Sequence, residues 1–347
     1  MIGKDYIVVG LGIAGISFCE QLQKHGKSFV VIDNGEKGAT AKSGGVFNPT
    51  VLKRFTAAWN ASTFFPVAVD FYSELSEKLQ KKIFLKTSIL RIFKNVEEQN
   101  NWTVASDNNE LQHFLSSEFL KNTNSSINAP FGFGEVLGTA QIEAKILLKE
   151  YRQYLLSKEI LVSESFEYEK LQHNENGVVY KNISAKKIVF CEGAKAIENP
   201  FFPRQTLIGN KGEYIIIKAP ELKLNALLKG PVYVIPIGND EYKVGATYAG
   251  DDYSLNATEA AKEEILIKLQ SFIKCPFEIV GQTSGIRPTT KDHRPLLGCV
   301  KGSGNIIFFN GLGSRGFLMA PLLSEILLDA LENQKSLPKE MDIQRLL

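Results

Sequence analysis

The run VVGLGIAGIS near the N-terminus constrains this chain more than any other stretch. Tyr6 to Val9 is a short apolar run suited to a buried parallel strand, and helical periodicity resumes from about Ala14 to His25, ahead of Gly26. Between them Gly10, Gly12 and Gly15 spell G-x-G-x-x-G. The first glycine permits the tight turn out of the strand, the second lets backbone approach a pyrophosphate, and the third lets helix and strand pack closely. The helix start then offers free N–H groups and a positive dipole end to phosphate. A second apolar strand, SFVVID, ends at Asp33, where an acid is placed to hold ribose hydroxyls. Strand, loop, helix and acid together predict a βαβ start that binds a dinucleotide with an unphosphorylated ribose, FAD or NAD rather than NADP.

The same spelling returns near the other end, where NIIFFNGLGSRGF holds Gly311, Gly313 and Gly316. This loop also joins a strand to a helix, expected from about Phe317 to Glu332, but no second strand and acid follow. It therefore cannot complete its own nucleotide unit, although a helix start there still favours negative charge. The alternative is a glycine-rich corner made only for packing.

Between the two loops the pattern changes. AKSGGVFNPT is a Gly/Asn/Pro loop, Phe64 to Gln80 is helical, and Ile83 to about Gly134 is expected to be strand-like and irregular. Helical spacing covers AQIEAKILLKEYRQYLLSK, a hairpin turn falls at Asn176-Gly177, and KKIVFCEGA is another buried strand running into a glycine turn. GEYIIIKA, VYVIPIG and YKVGATY form an antiparallel block with a turn at Asn239-Asp240, and TEAAKEEILIKLQSFI is a helix.

The bulk properties narrow the function. A net charge of +2 advertises no nucleic-acid partner. Four scattered cysteines without a C-x-x-C pair and four dispersed histidines predict no metal site. The lack of a cleavable signal and of an apolar run of about 18 residues points to the cytoplasm, with no membrane partner.

Taken in order, the first loop, IVFCEGA, VYVIPIGNDEYKVGAT, GIRPTTKDHRPLLG and NGLGSRGFLMAP resemble the D-amino-acid oxidase/glycine oxidase (DAO) family of FAD-dependent oxidoreductases. DHRPLLG and GLGSRG are most similar to the FAD domain of the bifunctional tRNA 5-methylaminomethyl-2-thiouridine biosynthesis protein. The resemblance implies an α/β plus β fold: a discontinuous Rossmann-like FAD domain (1–82, 136–210 and 283–347) with an inserted antiparallel-sheet substrate domain (83–135 and 211–282). It implies non-covalent FAD, since GIRP carries no cysteine. It also implies that the last loop and helix face the flavin ring of the cofactor whose phosphates lie on the first loop.

On this resemblance the cofactor residues are Gly10, Gly12, Ile13, Ala14, Gly15, Asp33 and Asn34 from the first unit. Thr40, Ala41, Ser43, Gly44 and Gly45 follow, in a segment whose small residues allow close approach. Gly193 and Arg287 complete the middle of the chain, and the last loop adds Gly311, Gly313, Ser314, Arg315, Gly316 and Phe317. Arg315 has two readings, a place near the flavin or a substrate acid and a surface salt bridge.

The implied chemistry is hydride transfer from the carbon beside an amine, which asks the protein mainly to orient substrate. Arg287 is the first candidate catalytic residue, because a guanidinium grips a carboxylate bidentately. Tyr233 matches an active-site tyrosine of the family. Lys243 matches a lysine that sarcosine oxidases keep near the flavin, although strand alternation favours a solvent-facing side chain. Leu318 stands where those enzymes have a carboxylate-binding lysine.

The leading expectation is therefore an amine or amino-acid oxidoreductase acting on a small molecule. A tRNA modifier acting on a carboxymethylaminomethyl group is the alternative, opposed by the near-neutral charge and the absence of a fused methyltransferase. A non-catalytic flavin-binding partner module is the reading from another class.

Overall fold

The computed structural model describes residues 2–203, 206–250, 252–300, 302 and 304–346. The outermost positions of the expected FAD-binding segments, Met1 and Leu347, lie outside these residues. Five parallel strands form the spine of an eight-stranded sheet, in the order Leu161–Val162, Phe29–Ile32, Ile2–Val9, Ile183–Phe190 and Ile306–Asn310. Near-continuous Ile, Val and Phe at these positions reflect burial on both faces of a parallel sheet. An antiparallel hairpin, Leu171–Asn174 with Gly177–Tyr180, extends one edge. The strand Leu296–Cys299 pairs antiparallel with Ile306–Asn310.

From Ile2–Val9 the chain passes to Phe29–Ile32 on one side, while Ile183–Phe190 lies on the other. A crevice opens outside the carboxyl ends of such strands, where ligands of open α/β sheets collect. Helices Ile13–Lys24, Ala61–Leu79, Ala144–Ser157 and Gly316–Asn333 cover one face of this sheet and share its principal apolar core.

A nine-stranded sheet, antiparallel apart from one parallel pair, makes the second layer. Its two longest strands are Ile208–Lys218 and Glu278–Thr289; the latter pairs only with the former among the described residues, and Glu241–Gly245 and Tyr233–Gly238 follow on the other side. Asn239 and Asp240 both have left-handed φ, 53° and 58°, the conformation that a two-residue hairpin turn demands. Helix Glu259–Gln270 packs beneath, with Thr258 capping its N-terminus by accepting from Ala261 N.

One element departs from the sequence reading. Val96–Ser106, expected to be irregular and strand-like, is an α-helix. Its residues carry no apolar stripe, and only Trp102 and Ser106 are buried. The signal lay at its start, where the Asn95 side chain accepts from Glu98 N and Glu98 Oε2 accepts from Lys94 N. The helix expected from AQIEAK also begins later, at Ala144, because Ala140–Ile142 first pairs as a strand with Phe84–Lys86 and Val46–Phe47.

Candidate functional site

The first glycine loop lies at the mouth of the crevice. Gly10 has φ +95°, and a Cβ there would fall 2.7 Å from the carbonyl oxygen of Cys191, the residue after the neighbouring strand Ile183–Phe190. A Cβ on Gly15 would fall 2.0 Å from the Gly10 carbonyl oxygen. Both positions therefore demand glycine. Gly12 is the N-cap of helix Ile13–Lys24 and has no side chain to close it. Thr40 Oγ1 accepts from Ile13 N at 3.1 Å, while Ala14 and Gly15 complete a first turn whose N–H groups lack intrahelical acceptors.

Asp33 follows Phe29–Ile32 and faces this turn. Its Oδ2 accepts from Leu11 N at 2.9 Å, and its Oδ1 accepts from Gly35 N at 2.8 Å and Arg152 Nη1 at 2.6 Å. Asn34 instead reaches sideways, donating to Ser165 Oγ at 3.0 Å.

The segment carrying Thr40, Ala41, Ser43, Gly44 and Gly45 bridges the two layers. Ala41 is buried, and Ser43 Oγ donates to the Thr40 carbonyl at 2.8 Å. Gly45 has φ +68° and sits where a Cβ would strike the Ile142 carbonyl oxygen at 2.1 Å. A Cβ on Gly44 would lie 2.4 Å from Ile235 Cδ1 and 3.4 Å from the Tyr214 hydroxyl. Lys243 reaches this segment from the nine-stranded sheet. Its Nζ donates to the Lys42 and Ser43 carbonyls, both at 2.7 Å, and lies 4.7 Å from the Tyr214 ring centroid. The solvent-facing alternative for Lys243 is thus corrected. Strand alternation points the side chain at the other layer, which alternation alone could not reveal. Burial, with Lys145 and Lys42 near, lowers its ammonium to about 8.

Arg287 lies on Glu278–Thr289, opposite Asn210. Its Nη1 donates to Asn210 Oδ1 and to the Thr247 carbonyl, both at 3.3 Å, and the guanidinium sits 4.4 Å from the Tyr248 ring centroid. Among the described residues its hydrogen-bond partners are therefore neutral. Gly212 makes room for it, since a Cβ there would fall 2.1 Å from Nη2. Tyr248 projects from a loop anchored by the fully buried Lys211, whose Nζ donates to Asp252 Oδ2 and Ser254 Oγ, both at 2.9 Å.

Tyr233 accepts from Asn48 Nδ2 at 3.2 Å, and burial pushes its phenol up. The Asn48 carbonyl accepts from Arg315 Nη1 at 2.5 Å, and the Thr50 carbonyl from Nη2 at 2.8 Å. Arg315 is therefore no surface salt bridge. Its guanidinium is tucked under the Asn48–Thr50 backbone, with burial lowering its pKa and Tyr233 and Tyr248 facing it.

The last loop closes the constellation. Gly313 N donates to the Pro288 carbonyl at 2.8 Å, which clips the loop to the residue after Arg287. Asn310 Nδ2 donates to the Gly193 carbonyl at 2.9 Å, and Gly311 N donates to Asn310 Oδ1 at 2.8 Å. Ser314 is exposed, while Phe317 is buried and its carbonyl accepts from Tyr72 at 2.8 Å. Gly316 packs on Ile13. The two glycine loops thus share one end of the sheet.

Sequence reasoning passed over Arg152, Tyr214, Tyr248 and Glu192. Tyr214 joins the site because it pairs with Gly245 across the sheet, a register no local pattern specifies. Glu192, after Ile183–Phe190, accepts from Tyr168 at 2.6 Å and Asn199 at 2.7 Å, and burial raises its carboxyl to about 7.

A family model described as DAO, FAD dependent oxidoreductase, matches residues 5–330. The chain is similar to glycine oxidase of Bacillus subtilis (strain 168), 22% identical over 357 residues that cover 95% of this chain and 94% of that protein. It is also similar to the tRNA 5-methylaminomethyl-2-thiouridine biosynthesis bifunctional protein MnmC of Campylobacter concisus (strain 13826), at 24% identity over 86% of this chain. That match spans 47% of the longer protein. Glycine oxidase from Bacillus cereus ATCC 14579 has the same fold, with a TM-score of 0.81 at 17% identity over 96% of this chain and 98% of that one.

Proposed function

This chain belongs to the DAO family of FAD-dependent oxidoreductases, and from that premise we propose that it oxidises the C–N bond of a small amino acid or N-substituted glycine. The observation that carries the proposal is Arg287. A partly buried guanidinium with neutral hydrogen-bond partners, clipped through Pro288 to the last glycine loop, is suited to a substrate carboxylate. The similarity to glycine oxidase supports the same substrate class.

The residues fit the cofactor. The first turn at Gly12, Ile13, Ala14 and Gly15, capped only at Ile13 N by Thr40, would take the pyrophosphate, with Asp33 toward the ribose. A Cβ on Gly12 would meet only Thr40 Oγ1 within 4 Å, leaving the backbone open to a ligand. The N-terminus of Gly316–Asn333 would face the ring edge that gains negative charge on reduction. Bound non-covalently, FAD supplies the two-electron acceptor for the C–H bond beside nitrogen.

The chain's own residues then do three things. Arg287 holds the substrate carboxylate and selects which hydrogen faces the acceptor. Tyr233, held by Asn48, offers a hydroxyl to the substrate. Lys243 braces the 42–43 backbone and keeps a cation beside the Tyr214 ring. In this reading the eight-stranded sheet carries the cofactor (1–82, 136–210 and 283–347). The nine-stranded sheet, mostly from 83–135 and 211–282, carries the substrate residues. The boundaries at 136, 211 and 283 fall inside its strands Phe133–Val136, Ile208–Lys218 and Glu278–Thr289, so Arg287 lies on this sheet although it belongs to the segment 283–347.

Anaerobic mixing of the FAD-loaded protein with glycine, sarcosine, D-amino acids, L-proline and iminodiacetate tests the proposal. The expected result is loss of flavin colour with at least one acid. A stable yellow protein that no amine bleaches would instead favour the flavin-binding module. Bleaching only by tRNA carrying carboxymethylaminomethyl groups would favour the reading that the MnmC similarity supports.

A further inference from the structure

We infer that Arg152 is a positioning residue for the adenosine half of the cofactor, acting through Asp33; the inference rests on FAD lying across the strand ends as proposed above. Arg152 belongs to helix Ala144–Ser157, which is fixed in the core by the buried Leu147, Tyr151 and Leu155. Its guanidinium straddles the carboxyl ends of two adjacent parallel strands. Nη1 donates to Asp33 Oδ1 at 2.6 Å. Nη2 donates to the Asp33 carbonyl at 3.2 Å and to Ser163 Oγ at 2.8 Å. Ser163 immediately follows Leu161–Val162, so one planar fork ties Phe29–Ile32, Leu161–Val162 and a core helix together.

Counting acceptor sites on Asp33 shows what the fork accomplishes. A carboxylate offers about four lone-pair sites. On Oδ1, Gly35 N and Arg152 Nη1 take two; on Oδ2, Leu11 N takes one. Among the described residues the remaining acceptor site is on Oδ2, the oxygen turned toward the glycine loop, and it would be open to a ribose hydroxyl. Arg152 thereby fixes the carboxylate's rotation. Its positive charge also offsets the negative charge of Asp33, which would otherwise stand unpaired near the loop that would hold the pyrophosphate. Lysine could supply the charge but not the fork.

The test measures FAD and FMN dissociation constants of the apoprotein by flavin fluorescence. Wild type, Arg152→Ala, Arg152→Lys, Asp33→Ala and the Asp33→Ala/Arg152→Ala double variant are compared. We expect Arg152→Ala to weaken FAD about tenfold or more, the scale of a lost charge-assisted hydrogen bond. FMN, which lacks the adenosine half, should be unaffected, and Arg152→Lys should lose less. In the Asp33→Ala background, Arg152→Ala should add little, because its route of action is already gone. Equal losses for FAD and FMN, full additivity with Asp33→Ala, or unchanged FAD affinity would each overturn the inference. If Arg152→Ala does not fold, Arg152→Lys carries the same cycle. A wild-type apoprotein that takes up no FAD would instead sink the underlying placement of the cofactor.

Discussion

Gly316 packs directly on Ile13: a Cβ at 316 would fall 3.0 Å from Ile13 Cγ2. The first turns of the two glycine-loop helices, one from each end of the chain, are thereby side by side. A larger residue at 316 would press on the Ile13 side chain. Gly316→Val should cost about 1–3 kcal/mol of stability and lower flavin retention. Thermal unfolding with and without FAD, together with flavin content after gel filtration, measures both.

Arg287→Ala should lower kcat/KM for an amino-acid substrate about 100-fold, the equivalent of one or two charge-assisted hydrogen bonds. An amine without a carboxylate should lose far less. Equal losses for the two substrates would remove Arg287 from carboxylate recognition.

Tyr248 is 70% exposed and lies over the Arg287 guanidinium, so it limits what can stand beside a bound carboxylate. An exposed cation–π contact is worth about 0.5–1 kcal/mol, so Tyr248→Ala should raise KM for glycine about two- to fivefold. The same change should favour bulkier amino acids. Steady-state kinetics across a side-chain series would reveal it.

The Lys243 ammonium is lowered to about 8 by burial and its lysine neighbours. Steps that need its charge should weaken as pH rises through about 8, and Lys243→Met should abolish that inflection. For stability the sign is set by proton counting. Between about 8 and the ordinary 10.5 the unfolded chain holds more protons, so this group's contribution rises with pH there. Melting temperatures of wild type relative to Lys243→Met across that range should climb.

Glu192 behaves oppositely. Burial raises its carboxyl to about 7, so between the ordinary 4.5 and about 7 the folded chain holds more protons and stability falls with rising pH. Glu192→Gln should flatten that slope and gain relative stability above pH 7. A pH series of urea midpoints checks it.

Much of this architecture was legible because its signals are local. Val8, Val31 and Val189 sit in short apolar runs that suit doubly buried strands, and Gly10 and Gly15 announce close backbone contacts. Helix Val96–Ser106 was missed for the converse reason. It buries too little to show periodicity and is declared only by the Asn95–Glu98 cap.

The site itself divides along the same line. Residue types and spacing determined by themselves that the N-terminal unit suits a dinucleotide, since strand, turn, helix and acid are contiguous and their chemistry depends on near neighbours. Only the tertiary structure decided that Lys243 turns inward onto Ser43, that Arg315 grips the backbone at Asn48, and that Arg152 clamps Asp33. Those contacts join residues remote in sequence. They are set by sheet register and helix packing, and no local periodicity encodes either.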